Sequence, residues 1–330
     1  MKYRQFGSTD LKVSEIGFGC ARLGGIMSAG TDKQAPLNAL REAFAAGITF
    51  FDTADMYTQG ESETLLGKAF KSDRDKVVIA SKGGYLLPTQ RKLVASIKPL
   101  VRPLIKLLGL KRQNVASSVR GTLNQDFSPA YLEGAIEASL RRIGTDYLDL
   151  YEVHSPPAEV IRAGIFIETL EKLKRQGKIR YYGVACDTVA DALLALQYPG
   201  VSSVMFPFGL LDPEGQEELF PLATSQGVGL IARGCFGGGL LKESLTETEL
   251  KTMDAKWPKI MAYRRLARAN KRSVIESALQ YSLSFPAISV HLLGMRTPAH
   301  IKENLSYYTA SPLSSEELVS INEIGRQAVA

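Results

Sequence analysis

Residues 147–184 contain three runs that decide the fold: YLDLYEVH (147–154), FIETLEKLKRQG (166–177) and IRYYGV (179–184). The first and third are short and apolar, as in buried parallel strands, and the second has apolar residues at helical spacing. Gly177 ends the second run, at a position where glycine commonly stops a helix. This stretch therefore predicts a strand, a helix and a second strand, the repeating unit of parallel α/β folds.

The same alternation repeats along nearly the whole chain. Eight apolar β-runs are each followed by helical material, and they begin at residues 16, 48, 77, 147, 179, 203, 228 and 288. A short hairpin (residues 3–13) precedes the first run, and an amphipathic helix from about residue 314 to residue 328 follows the last unit. The pattern predicts an α/β fold, a (β/α)8 TIM barrel with an N-terminal β-hairpin and an extra C-terminal helix.

An open doubly wound sheet is the alternative arrangement of such units. Dinucleotide-binding sheets of that type carry G-x-G-x-x-G between the first strand and its helix. Residues 17–22 (GFGCAR) have no third glycine at that spacing. No linker or low-complexity segment divides the chain, so one barrel domain is expected over residues 1–330. Residues 83–127 are expected to form an inserted loop or helix on the rim, the edge of the barrel at the carboxyl ends of its strands.

Composition and charge limit the classes of function. The net charge of +6 is a mild excess for 330 residues, and it is compatible with an anionic small molecule such as a phosphorylated cofactor. No basic and aromatic strip supports nucleic-acid binding. No apolar run approaches the roughly 18 residues of a membrane span, and residues 1–19 lack the apolar stretch of a signal peptide. A cytoplasmic protein without an integral membrane segment is expected.

The three cysteines, Cys20, Cys186 and Cys235, lie far apart in the sequence. They form no C-x-x-C pair, and their odd number argues against a disulfide framework, which agrees with a reducing compartment. Their spacing, taken together with that of His154, matches no common metal-binding pattern. No metal site is therefore expected.

Polar residues stand where three successive predicted strands end. Asp52 follows the second apolar run, Lys82 the third and His154 the fourth, and Tyr57 lies five residues beyond Asp52. The carboxyl ends of all strands meet at one face of a barrel, and chemistry is concentrated there. These four side chains are therefore expected to lie together.

The four residue types suit one kind of reaction. A tyrosine hydroxyl has a reference pKa of about 10, but a nearby ammonium stabilises its phenolate, and a carboxylate keeps that ammonium charged. A neutral imidazole can hydrogen-bond to a carbonyl oxygen and orient it. The set suits protonation of an oxygen that gains charge while hydride arrives at carbon. None of these groups supplies hydride, so a cofactor is required.

These residues, together with the segments around them, resemble the aldo-keto reductase family, and the resemblance covers nearly the whole chain. The segments that carry the resemblance are 51–54 with Tyr57, 80–82, 144–151 running into His154, 177–184, and Gly294 with residues 303–304. The resemblance implies a small-molecule carbonyl or alcohol substrate and NADP(H) bound across the top of the barrel. It also implies that Tyr57 is the general acid/base, that Lys82 and Asp52 tune it, and that His154 positions the carbonyl.

The resemblance also predicts the cofactor site. It comprises Gly19, Cys20, Ala21, Asp52, Ala185, Cys186, Met205, Arg233, Gly237, Leu240, Gly294, Met295, Arg296, His300, Glu303 and Asn304. The family usually has serine, asparagine and glutamine where this chain has Ala185, Cys186 and Met205, so three polar partners of the nicotinamide carboxamide are replaced. Arg296 precedes a predicted helix, where it suits a 2′-phosphate and favours NADP over NAD.

Two alternatives stay open. The altered nicotinamide pocket is compatible with a nicotinamide-binding redox-sensing or regulatory module with little turnover, as in the potassium-channel β subunits that share this fold. The intact catalytic set favours an oxidoreductase instead. Residues 90–112 place leucines at helical spacing between basic residues, interrupted by Pro99 and Pro103. An insertion packed over the rim is favoured there over a membrane-surface helix.

Overall fold

The computed structural model describes residues 1–24, 34–86 and 124–326. Its strands are β1 (Tyr3–Gln5), β2 (Lys12–Ser14), β3 (Ile16–Gly19), β4 (Phe50–Asp52), β5 (Val78–Gly83), β6 (Leu148–His154), β7 (Ile179–Ala185), β8 (Ser203–Pro207), β9 (Gly229–Arg233) and β10 (Ile288–Gly294). Strands β3 to β10 close a barrel in which every neighbouring pair is parallel. Strands β1 and β2 form an antiparallel hairpin. The predicted barrel with an N-terminal hairpin is confirmed.

Helices lie outside the barrel strands and share an apolar core with them. They are α1 (Ala35–Ala45), α2 (Glu61–Phe70), α3 (Pro129–Ile143), α4 (Ala158–Ala163), α5 (Ile167–Arg175), α6 (Val189–Ala195), α7 (Leu219–Gln226), α8 (Glu247–Met253), α9 (Trp257–Ala269), α10 (Val274–Leu283), α11 (Pro298–Tyr308) and α12 (Ser315–Arg326). Phe51 on β4 packs against Phe70 on α2, with ring centres 4.5 Å apart. Alternate strand residues therefore point outward into this core or inward into the barrel.

The hairpin closes the lower end of the barrel. Phe6, directly after β1, is fully buried and stacks on Phe50 with ring centres 6.1 Å apart. A Cβ on Gly229 would lie 2.6 Å from the Phe6 ring, so glycine at that position leaves space for the Phe6 side chain. The interior next to it is apolar and includes Val78, Leu150, Ile231 and Val290. A layer of apolar side chains therefore lies against the hairpin inside the barrel.

The sequence pattern of residues 260–284 predicts one continuous helical stretch, and this prediction is wrong. The stretch is divided between α9 and α10, and Lys271 between them has a left-handed φ of 57°. A helix of L-residues cannot continue through that conformation. Ser273 then caps α10, since its Oγ accepts a hydrogen bond from the Glu276 N–H at 3.0 Å. Apolar periodicity runs through the break, so periodicity alone does not reveal it.

Two short helices were not predicted from the sequence. Helix α4 follows Pro157. Helix α8 lies within residues 239–259, which the sequence predicts to be a loop on the rim. It begins with a capping box, in which Thr246 and Glu249 each bond to the backbone of the other. A Thr-x-x-Glu pattern is a recognised start signal, and it was the sign available in the sequence.

Much of the predicted insertion at 83–127 lies outside the described residues, as do Gln90 to Arg112 in full. Its two ends are described: Gly83 belongs to β5, and Tyr85 forms an antiparallel bridge with Gln125.

Within the described residues, no helix is long and apolar enough to cross a membrane, and no group of three or more acidic, histidine or cysteine side chains is arranged to hold a metal ion.

Ser128 caps the start of helix α3, and it offers a test of local stability. Its Oγ accepts a hydrogen bond from the Tyr131 N–H, and Pro129 occupies the first turn. Ser128→Ala is expected to lower the free energy of unfolding by about 1 kcal/mol, because a first-turn N–H loses its acceptor. Ser128→Asp keeps an acceptor and should retain the wild-type urea midpoint. Equal midpoints for the alanine variant and wild type would contradict the role of the cap.

Candidate active site

Three neighbouring strands place three of the predicted catalytic residues. Asp52 is the last residue of β4, Lys82 lies near the end of β5, and His154 is the last residue of β6. All three side chains are buried, with exposed fractions of 4%, 1% and 5%. Strand β4 pairs with β5 and β5 with β6, so the residues come together because these strand ends are adjacent in the barrel. Tyr57 lies at the start of the turn that leads from β4 to α2.

The Tyr57 ring lies close to both a cation and an imidazole. Lys82 Nζ forms a buried ion pair with Asp52 Oδ1 and donates to the Thr53 carbonyl at 2.8 Å. The same Nζ is 5.3 Å from the centre of the Tyr57 ring. The ring centres of Tyr57 and His154 are 5.8 Å apart, and the two rings are nearly perpendicular. The structure therefore brings together all four residues predicted from the sequence.

The electrostatics of the buried pair favour a charged lysine. Burial alone would lower the pKa of Lys82, but the negative charges of Asp52, of the Tyr57 phenolate and of Glu152 outweigh burial and raise that pKa above its usual value. Burial raises the pKa of Asp52, and the Lys82 charge opposes this. A permanent ammonium beside the Tyr57 ring stabilises the phenolate form relative to the phenol.

Left-handed backbone follows both Tyr57 and His154. Thr58 and Gln59 have φ of 49° and 63°, and Ser155 has φ of 50°. Each such residue costs on the order of 1 kcal/mol when it is not glycine. The Ser155 N–H donates to the Ala185 carbonyl at 2.8 Å, which helps to hold this conformation. Strained backbone therefore flanks the two side chains that would meet a substrate.

Two residues near His154 were not identified from the sequence. The Tyr85 ring is perpendicular to the His154 ring, with centres 5.0 Å apart. Gln125 Nε2 donates to the carbonyl oxygens of His154 and Ser155 at 3.1 Å and 2.8 Å. Both residues come from the ends of the predicted insertion, where no periodic pattern marks them. They fix the backbone and the ring of His154 from the side of the rim.

Asp55 is a further acidic residue, between Asp52 and Tyr57 in the chain. Its N–H donates to the Lys82 carbonyl at 3.0 Å, and its Oδ2 accepts from the Tyr131 hydroxyl at 3.2 Å. Burial, with a smaller effect of the Glu63 charge, raises the pKa of Asp55 to about 7. The loop that carries Tyr57 is thus anchored by a carboxyl group that titrates near neutral pH.

The three positions with unusual residues at the predicted nicotinamide site differ in where their side chains lie. Ala185 on β7 and Met205 on β8 are partners in register, and both belong to the apolar barrel interior. The Cys186 sulfur lies in the outer core, 3.7 Å from the Val184 carbonyl, and burial raises the pKa of its thiol well above the usual value. Cys20 is also buried in the outer core. The Ala185 and Met205 side chains therefore face the barrel interior, whereas the Cys186 sulfur does not.

Arg233, the last residue of β9, contacts the residues that directly follow β7 at the rim. It donates to the Cys186 carbonyl at 3.0 Å and forms an ion pair with Asp187 at 2.7 Å. Asp187, which no sequence pattern indicates, also accepts a hydrogen bond from the Ser155 hydroxyl at 3.0 Å. Gly237, farther along the chain, begins a three-glycine turn that leads into Leu240, and all three glycines have positive φ.

The remaining predicted cofactor residues lie on two segments of the rim. Gly19 ends β3, directly before Cys20 and Ala21, and Gly294 ends β10, directly before Met295 and Arg296. Helix α11 follows and carries His300, Glu303 and Asn304. Thr297 caps this helix by accepting from the His300 N–H at 3.3 Å. Burial and the charge of Arg296 lower the pKa of His300, which favours a neutral imidazole there.

Comparison with known proteins agrees with this geometry. The model of the Aldo/keto reductase family matches residues 15–326. The chain is 29% identical over 337 residues to the Uncharacterized oxidoreductase YqkF of Bacillus subtilis, covering 100% of this chain and 98% of that protein. It is 29% identical over 251 residues to the NADH-specific methylglyoxal reductase of Escherichia coli, covering 74% of this chain and 71% of that protein. The aldo-keto reductase AKR11C1 from Bacillus halodurans, in its holo form, matches the structure with a TM-score of 0.78 at 30% identity, over 100% of this chain and 98% of that chain. The chain belongs to the aldo/keto reductase family.

Proposed function

We propose that this chain is an NADPH-dependent reductase of aldehydes or ketones, with the reverse oxidation of an alcohol, in which Tyr57 is the general acid/base. One observation carries the proposal: the Tyr57 ring lies 5.3 Å from the Lys82 ammonium and 5.8 Å from the His154 ring. Three separate strand ends must cooperate to produce this arrangement. A structural role alone would not require a buried lysine aimed at a tyrosine ring.

Each residue then has a defined task in reduction. Bound NADPH supplies the hydride to the carbonyl carbon. Tyr57 donates its hydroxyl proton to the carbonyl oxygen, and Lys82 stabilises the phenolate that remains. Asp52 holds Lys82 charged and aimed, while His154 hydrogen-bonds to the carbonyl oxygen and orients it. In alcohol oxidation the same phenolate accepts the alcohol proton.

The residues of the rim fit a phosphorylated dinucleotide at its adenosine end. Arg296 lies just before the N-terminus of α11, where backbone N–H groups and the helix dipole favour anions. On the same helix, the buried atoms His300 Nδ1 and Asn304 Nδ2 have no hydrogen-bond partner among the described residues. Polar atoms buried in this way usually have a partner, so a bound ligand is a natural one. The turn that begins at Gly237 allows close approach of the chain to that ligand.

Arg296 provides a test of the preference for NADPH, which matters because one relative is named as NADH-specific. Arg296→Ala is expected to raise KM for NADPH about 10- to 100-fold, because a charge-assisted hydrogen bond contributes about 1.5–3 kcal/mol. KM for NADH should change less than about threefold. Arg162→Ala, at an exposed position on α4, is the matched control. Equal loss with both coenzymes would show that Arg296 does not bind the 2′-phosphate.

A second candidate function is a nicotinamide-binding sensor or regulatory module with little turnover. The apolar side chains of Ala185 and Met205 at the predicted carboxamide site favour it. The two functions are separated by measuring NADPH fluorescence on binding together with NADPH oxidation in the presence of a panel of reactive aldehydes. Turnover that requires Tyr57 is expected. Tight NADPH binding without Tyr57-dependent turnover would identify the module instead.

A further inference from the structure

A buried carboxyl group lies beside the catalytic lysine and is not used in the chemistry above. Glu152 is on β6, two residues before His154, and therefore points to the same inward face of the barrel. It is fully buried. In the pairing of β5 with β6, Glu152 is the direct partner of Lys82. The barrel interior thus holds a second carboxyl group next to the Lys82–Asp52 pair.

The strands on the other side of Glu152 are shaped to hold it. Ser203 on β8 donates a hydrogen bond to Glu152 Oε1 at 2.7 Å. This bond passes across β7, where the residue in register with both is Gly183. A Cβ on Gly183 would lie 2.1 Å from the Ser203 hydroxyl, so only glycine leaves the path open. The position of the carboxyl group is therefore fixed by three consecutive strands.

The two carboxyl oxygens of Glu152 differ in their hydrogen bonding. Oε2 of Glu152 is buried and has no hydrogen-bond partner among the described residues. An ionised carboxylate with an unpartnered buried oxygen is costly, whereas a protonated carboxyl group is much less so. This environment agrees with a group that holds a proton over part of the physiological pH range.

The charged groups that face Glu152 come from three other strands. They are Lys82 from β5, Asp52 from β4 and Arg233 from β9, and His154 lies two residues farther along β6 itself. Burial raises the pKa of Glu152 to about 7, against the opposing effects of Lys82 and the Ser203 hydrogen bond. Glu152 therefore changes charge near neutral pH while Lys82 stays charged.

We propose that Glu152 is a positioning residue whose charge state controls how strongly Lys82 stabilises the phenolate of Tyr57. The proposal rests on the function of Tyr57 proposed above. An ionised Glu152 cancels part of the positive potential of Lys82 at the Tyr57 oxygen and so favours the protonated phenol, the form that donates in reduction. A neutral Glu152 leaves the Lys82 charge uncompensated and favours the phenolate, the form that accepts a proton in oxidation.

Glu152→Gln tests this directly, because glutamine keeps the size of the side chain and an acceptor for Ser203 but is always neutral. The alkaline limb of the kcat/KM profile for carbonyl reduction should move to lower pH by about 0.5–1 unit. The ultraviolet titration of the Tyr57 phenol, taken as the difference from Tyr57→Phe, should move in the same direction. This titration uses the protein without substrate, so it decides the proposal even if turnover fails. Glu159→Gln on the exposed side of α4 is the matched control and should shift neither.

A second variant acts in the same direction on the same group by favouring its neutral form. Ser203→Ala removes the hydrogen bond that favours ionised Glu152 and should move the titration of Glu152 to higher pH. That titration is followed by the infrared band of a buried protonated carboxyl group. Asp55 titrates in the same range, so the band is assigned from the difference between wild type and Glu152→Gln. The proposal is overturned if this difference band is absent, or if Glu152→Gln lowers kcat/KM equally at every pH without moving the Tyr57 titration.

Discussion

Tyr57→Phe is expected to reduce kcat for carbonyl reduction by about 10²- to 10⁴-fold, with the Kd for NADPH changed less than about twofold. The substitution removes only the hydroxyl group and leaves the ring close to Lys82 and His154. The loss corresponds to about 3–5 kcal/mol of transition-state stabilisation, the range of one general acid. Steady-state kinetics with a reactive aldehyde and NADPH fluorescence quenching provide the two measurements.

Tyr85→Phe is the matched control for this experiment. The Tyr85 ring also packs perpendicular to His154, with ring centres 5.0 Å apart, so a tyrosine next to the same imidazole is altered in the same way. The Lys82 ammonium faces the Tyr57 ring, and on this basis Tyr85→Phe should keep kcat within about fivefold. If Tyr85→Phe loses activity and Tyr57→Phe keeps it, the assignment of the general acid is wrong.

Lys82→Met is expected to have the largest effect on stability, lowering the free energy of unfolding by about 3–5 kcal/mol at neutral pH. The substitution leaves the carboxylate of Asp52 buried without its cation. Burial already raises the pKa of Asp52, and loss of the opposing Lys82 charge would raise it further. Because the folded form then prefers protonated Asp52, the loss of stability should be greatest at high pH and become small in acid, where Asp52 is protonated in both states.

Urea unfolding of Lys82→Met between mildly acidic and mildly alkaline pH measures this dependence. The double variant Asp52→Asn with Lys82→Met contains no buried charge at the pair and should recover part of the lost stability at high pH. A loss that is the same at all pH values and is not recovered in the double variant would show that packing, and not the charge of Asp52, is responsible. Catalytic activity is expected to be lost in both variants, since neither retains the ammonium beside Tyr57.

The sequence predicts best those structural features that depend on residues close together in the chain. Alternating apolar β-runs and amphipathic helices predict the barrel because each unit must bury its apolar face against its neighbours. Polar residues at strand ends predicted the set of Asp52, Lys82 and His154 because parallel strands bring their carboxyl ends to one face. The break between α9 and α10 was missed because one left-handed residue, Lys271, interrupts an apolar pattern that otherwise continues.

The strand YLDLYEVH (147–154) shows what the sequence alone does not determine. It contains two acidic residues, Asp149 and Glu152. Strand alternation places Glu152 on the face of His154 and Asp149 on the opposite face, but the local sequence does not show what either carboxylate contacts. In the structure Asp149 is held by Arg74 and Arg180 at 2.7 Å and 2.8 Å, whereas Glu152 points into the barrel beside Lys82. Local sequence therefore determined the strands, the barrel and the four catalytic candidates. The partner of each buried charge was decided only by strand register and barrel closure, because these bring together side chains that are distant in the chain.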